Sequence, residues 1–294
     1  MSPLAALLLS FVVQQPPAFA AEVESVHLDV FVSVKGTPVL GLSAADFEVR
    51  DNGVVQAAEL VEVERVPIRV VLVLDTSASV AGGKLDQLRG AARALLQDLR
   101  RGDEAALLAF SHELRLQVPP TLDREAVERA LGGIEASGST AGFDALYAAV
   151  TLPATATRPV VVLFTDGEDN ASVLSAEDAR EAVDESGALV HVVGIEPPAD
   201  PRTVDARIVE GDLGVALRGI AEGSGGRLWR AASAERLREA FLRILDEMRT
   251  RYLLRYVPRG IPRAGRHRVE VRLKGRKAEL RTRRGYVVTA RPPL

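Results

Sequence analysis

The stretch VVLVLDTSASVAGGK, residues 70–84, joins five consecutive apolar residues to Asp75-Thr76-Ser77-Ala78-Ser79, then to glycines and a helical pattern. A run with no polar alternation is the mark of a strand buried on both faces, as in a parallel sheet. Downstream the same grammar repeats. Helical patterns over 84–99, 123–134, 143–150, 176–185, 213–221 and 234–251 alternate with the short apolar runs EAALLAF, PVVVLF, ALVHVVGI and GRLWRA. That alternation predicts a doubly wound α/β domain, its mostly parallel sheet covered on both sides. LRLQV follows EAALLAF after only Ser111-His112-Glu113, too few residues for a crossover, and is expected as an antiparallel edge strand.

Outside this region the pattern becomes all-β. VHLDVFVSV alternates at period two, Lys35-Gly36 makes a turn, and Asn52-Gly53 is a hairpin signal. YLLRYV, HRVEVRL, AELRTR and GYVV follow the α/β region. Isolated strands are seldom stable, so the two ends are expected to combine into one small β-sandwich with the α/β domain inserted between them. The expected division is a signal peptide over 1–20, a β segment over 21–66, the α/β domain over 67–250 and a second β segment over 251–290.

The chain has no cysteine, which excludes disulfides, thiolate nucleophiles and cysteine-ligated metals. His27, His112, His191 and His267 share no metal-binding spacing, so any metal should be oxygen-ligated. His191 and Trp229 lie in apolar strand patterns and read as core. The start MSPLAALLLSFVVQQPPAFA has the apolar run and Ala-Phe-Ala cleavage pattern of a secretory signal peptide, although no Lys or Arg precedes the run. No other segment is long and apolar enough to be transmembrane, so a soluble protein, secreted or in the periplasm and cell envelope, is expected. Residues 249–294 carry 15 Lys/Arg against 2 Asp/Glu, whereas the preceding residues carry 22 against 38. Such asymmetry can mark a phosphate-binding arm. Here the basic residues alternate with Val269, Val271, Leu273 and Leu280, as on the wet face of strands, and no nucleic-acid partner is expected.

In a doubly wound sheet, ligands sit outside the carboxyl ends of the strands. Three oxygen-rich stretches fall there: Asp75 to Ser79, Gly138-Ser139-Thr140-Ala141-Gly142, and Thr165-Asp166-Gly167-Glu168-Asp169-Asn170. An extended loop would turn Asp75, Ser77 and Ser79 the same way, and with Thr140 and Asp166 they can form an oxygen cage carrying two carboxylates. Mg²⁺ takes about six oxygens and usually retains waters, so such a cage leaves room for an outside ligand. Glu168 and Asp169 read as solvated rim residues, or as ligands of a second ion.

These three motifs together resemble the metal-ion-dependent adhesion site of von Willebrand factor type A domains, over roughly residues 68–250. The resemblance implies Asp75, Ser77, Ser79, Thr140 and Asp166 as metal ligands, some through water. The flanks KGTPVLGLSAADFEVRDNG, RYLLRYVP and RRGYVV resemble the exported bacterial VWFA-related proteins. Other readings fit less well. An aspartic-protease site needs a second Asp-Thr-Ser/Gly element, and Thr165-Asp166-Gly167 has the wrong order. A nucleophile elbow at Gly138 to Gly142 would have to follow a strand. Phosphoryl transfer through Asp75 lacks an acid at position 77. Helix capping accounts for one of the residues 75, 77 and 79, not for three. The expected function is a non-enzymatic exported module that binds Mg²⁺, or Mn²⁺ or Ca²⁺, and captures a protein partner through an exposed Asp or Glu. The alternatives are a metal-assisted hydrolase and a structural envelope protein with no metal role.

Overall fold

The computed structural model describes residues 25–62, 66–153, 158–166, 169–195 and 212–288. The expected signal peptide, Gly167 and Glu168 lie outside the described residues. Among the described residues five strands come first: β1 (Val26–Val34), β2 (Thr37–Pro38), β3 (Phe47–Asp51), β4 (Val54–Gln56) and β5 (Ala58–Val61). Asn52 and Gly53, between β3 and β4, have φ values of 47° and 82°, the left-handed conformation that a tight hairpin demands of both central residues.

In the α/β region the described residues form six strands: β6 (Ile68–Asp75), β7 (Glu104–Phe110), β8 (Leu114–Thr121), β9 (Arg158–Thr165), β10 (Leu189–Ile195) and β11 (Arg227–Ala231). They form one sheet in the order β11-β10-β9-β6-β7-β8, in which the edge strand β8 alone runs antiparallel. Among the described residues six helices cover it: α1 (Gly83–Asp98), α2 (Arg124–Gly132), α3 (Gly142–Val150), α4 (Ala176–Ser186), α5 (Asp212–Ser224) and α6 (Ala234–Thr250).

The continuous apolar strands have their cause in this layering. Val70, Leu72 and Leu74 of β6 pack on one side with Leu88, Leu95, Phe241 and Ile244 of α1 and α6. Val71 and Val73 pack on the other with Leu146 of α3, Val183 of α4 and Leu217 of α5. Both faces are dry, so the strand centres are apolar at either parity. Phe164 of β9 stacks on Phe241 of α6 at 4.4 Å and 14°.

After α6 the chain returns to β structure: β12 (Tyr252–Tyr256), β13 (Gly265–Leu273), β14 (Glu279–Arg281) and β15 (Gly285–Val288). The two ends of the chain pair with each other. One sheet runs β14-β1-β12-β5 with β2 at its side, the other β15-β13-β3-β4. Leu28 and Val30 of β1, Phe47 and Val49 of β3, Tyr252, Leu254 and Tyr256 of β12, and Tyr286 of β15 share one apolar cluster.

The two regions meet through charge. Arg158, at the start of β9, ion-pairs with Asp29 of β1. Glu247 of α6 is buried between Arg251, at 2.6 Å, and Arg281 of β14, at 2.5 Å. Here the expectation of a fully solvated basic face is corrected. Arg266 and Arg268 do face water, but Arg251 is buried and Arg281 is partly so, because Glu247 gives them an interior counter-charge. His191 and Trp229 are core as expected. The indole Nε1–H donates to His191 Nδ1 at 3.2 Å, and burial holds that imidazole near a pKa of about 3, hence neutral.

Candidate metal-ion site

The chain order β6-β7-β8 builds one half of the sheet and β9-β10-β11 the other, so the strand order reverses between β6 and β9. At such a switch point the following loops diverge and leave a crevice at the carboxyl ends. Asp75 ends β6, Thr165 ends β9 with Asp166 just beyond it, and Thr165 Oγ1–H donates to Asp75 Oδ2 at 2.8 Å across that point. The opposite end of β9 meets β1 through Arg158 and Asp29, so the crevice and that contact lie about 23 Å apart along β9 at ~3.3 Å per residue.

Asp75 is buried and its other oxygen, Oδ1, accepts the Ser77 amide at 2.9 Å. Burial pushes its carboxyl up from the usual range and the nearby charge of Asp166 adds to that, while the bonds from Ser77 and Thr165 act in the opposite sense. The loop is not extended throughout. Ser77 is extended, with φ −65° and ψ 163°, but Ala78 to Val80 form a 3-10 turn that swings Ser79 back. The two hydroxyls still converge: Ser77 Oγ lies 3.0 Å from Ser79 Oγ, and Ser79 Oγ–H donates to Asp166 Oδ1 at 2.8 Å. The capping alternative fails here, because α1 has Gly82 at its N-cap and no side-chain cap at all.

Thr140 is brought to this rim by backbone bonds. Its N–H donates to Asn170 Oδ1 at 2.9 Å, and its carbonyl accepts the amides of Asn170 and Ala171, each at 3.0 Å. Its own loop is tied to the first one, with Ser137 N–H on the Thr76 carbonyl at 2.7 Å and Ala78 N–H on the Gly138 carbonyl at 3.0 Å. Asp169 is not a solvated rim residue. Its carboxylate accepts the Phe143 amide at 3.0 Å and the Ser172 hydroxyl at 2.7 Å, capping α3 and anchoring the loop that follows Asp166.

Lys84 is the residue the sequence reading missed. Its Nζ donates to Asp166 Oδ2 at 2.7 Å and to the Ser79 carbonyl at 3.1 Å. A signal was present in the sequence: a cation in the first turn of a helix opposes the helix dipole and calls for a nearby anion.

Gly138 has φ +81°, and a Cβ there would run into the His112 ring. Gly138→Ala is therefore expected to destabilise the protein by about 1–2 kcal/mol from the left-handed backbone alone. Thermal melting measures this. The double variant with His112→Ala should recover only the part due to the clash.

Residues 70–168 match the von Willebrand factor type A domain, and this chain carries such a domain. A UPF0353 protein of Mycolicibacterium gilvum is 26% identical over 210 residues, covering 61% of this chain and 60% of that protein. The chain spans 15% to 60% of the length of the first curated relatives it matches. Among solved structures, a von Willebrand factor type A protein from Catenulispora acidiphila has a TM-score of 0.50 at 15% identity, covering 92% of this chain and 75% of its own. Proximal thread matrix protein 1 of the mussel byssus, with a zinc-occupied MIDAS motif, has a TM-score of 0.52 at 15% identity over 67% of this chain and 49% of its own.

Proposed function

We propose that this protein is an exported, non-enzymatic interaction module that holds a divalent cation with Asp75, Ser77, Ser79, Thr140 and Asp166 and captures a protein partner through an Asp or Glu side chain. The observation that carries this reading is the hydrogen-bonded line Ser77–Ser79–Asp166 beside buried Asp75 at the switch point of the sheet. The donor set is all oxygen and suits a hard ion, with Mg²⁺ the first choice and Mn²⁺ or Ca²⁺ the others. Among the described residues no group of three or more His, Asp or Glu is placed to hold a metal, so an ion here would rely on hydroxyls beside two carboxylates, which balance its charge without over-neutralising it and leave a coordination position for an incoming carboxylate. A bound ion supplies that attraction, while the chain's own part is to hold the oxygens in place.

The mussel protein's zinc-occupied motif supports divalent binding in this fold. Export rests on the N-terminal leader pattern and on the resemblance of the flanks to exported bacterial proteins. It accords with the described helices, none of which is long and apolar enough to cross a membrane. The two small sheets are read as a β-sandwich that carries the domain and points the cage away from itself.

Isothermal titration with Mg²⁺ tests the reading. Wild type should bind with a rise in melting temperature, and Asp75→Ala should lose both. A wild-type protein that neither binds Mg²⁺, Mn²⁺ or Ca²⁺ nor gains stability from them overturns it.

A further inference from the structure

Lys84 stands in an unusual position for a lysine. It is the second residue of α1, where the helix dipole disfavours a cation, and the helix supplies no side-chain cap to offset it. What compensates it is the site itself: Asp166 Oδ2 at 2.7 Å and the Ser79 carbonyl at 3.1 Å. Asp166 is thereby shared. One oxygen accepts the Ser79 hydroxyl, and the other is taken by the ammonium.

We propose that Lys84 is a tethered competitor of the divalent ion. Its ammonium neutralises Asp166 when no metal is bound, and metal binding exchanges one cation for the other. This rests on the reading of the five residues as a metal site.

Three observations support the exchange. A divalent ion on Asp166 would stand within a few ångströms of the ammonium, next to a buried carboxylate where like charges are poorly screened. The Asp166 side chain is only 6% exposed whereas that of Lys84 is 31% exposed, so the lysine has a route to water and the aspartate has none. The lysine stem is flexible and its ammonium is strongly hydrated once released, so leaving is inexpensive. The consequence is a site whose affinity for metal is held down by its own residue, with Asp166 never left uncompensated.

The experiment is Mg²⁺ titration calorimetry, with melting temperatures in EDTA and in saturating Mg²⁺, on wild type, Lys84→Met, Lys84→Arg and Asp75→Ala. Lys84→Met keeps most of the stem and removes the charge. It should bind Mg²⁺ about tenfold more tightly than wild type, given the strength of unit charges at this range. It should melt below wild type in EDTA and regain the loss in Mg²⁺. Lys84→Arg should bind like wild type. Equal or weaker binding by Lys84→Met, or the same melting deficit with and without Mg²⁺, overturns the proposal and assigns Lys84 a structural part only. If wild type binds and Asp75→Ala does not, the metal site stands whatever Lys84→Met shows. If neither wild type nor Lys84→Met binds, both fall.

Discussion

Glu247→Gln is expected to lower the stability of the protein by about 3–5 kcal/mol, because it removes the negative member of a buried charge cluster and leaves its cations in place. Glu247 accepts from Arg251 at 2.6 Å and from Arg281 at 2.5 Å, and Arg251 also donates to the Gly225 carbonyl at 2.5 Å. Burial by itself would raise the Glu247 carboxyl, but the charges of Arg251 and Arg281 and the hydrogen bond from Arg281 outweigh burial and hold it at about 2. The folded value lies below the ordinary 4.5, so the stability it contributes is complete above about pH 4.5 and is lost as the pH falls toward 2. Urea unfolding at pH 7 should show the full loss in the variant. Between pH 4.5 and 2 the wild-type midpoint should fall more steeply than that of Glu247→Gln. Equal midpoints at pH 7 would show that the cluster contributes nothing net.

The second large effect is expected at Asp51, in the hairpin of β3 and β4. Its carboxylate is fully buried and accepts from the Tyr256 hydroxyl at 2.8 Å and the Tyr286 hydroxyl at 2.6 Å, with His267 Nδ1 at 3.0 Å. Burial first, and donation to Asp51 second, hold both phenols protonated well above the usual tyrosine range. Removing the carboxylate also removes its own desolvation cost. The larger change is the set of buried donors left without an acceptor, because an orphaned polar group loses its full hydration. Asp51→Ala should therefore cost roughly 3 kcal/mol, more than the loss of a single exposed hydrogen bond. Three of the four tyrosines (Tyr252, Tyr256 and Tyr286) lie in the β segments and the single tryptophan, Trp229, in the α/β region. Tyrosine absorbance and tryptophan emission during unfolding then report the two regions separately. An unchanged tyrosine midpoint would contradict the role given to Asp51.

The α/β region was legible because each of its signals is local. An uninterrupted VVLVL needs both faces dry, and LRLQV stands too near EAALLAF to be anything but antiparallel. The sequence also brought the Asp-x-Ser-x-Ser element and Thr165-Asp166 to one rim, since both follow apolar strands. What it did not show are pairings between residues far apart in the chain. Asp51 meets Tyr256 and Tyr286 more than two hundred positions away, and no periodicity marks that. Glu247 left a trace that was readable, a carboxylate on the buried stripe between Ile244 and Met248 with an arginine four residues on. The 3-10 turn at Ala78 was hidden because serine and alanine permit both extended and turned backbone. Asp169 was misread because capping of α3 depends on a loop whose path the sequence leaves open.

Val61, the last residue of β5, is paired with Leu253 of β12, so the whole α/β region is spliced between two neighbouring positions of one small sheet. The order of synthesis follows from this. β1, β3 and β5 leave the ribosome first, yet their partners β12, β13 and β14 are made only after the entire α/β region. β1 and β3 can pair early only with their neighbours β2 and β4, and their other edges stay open to wrong pairing until the distant strands arrive, which places the slow step of folding in this non-local β layer.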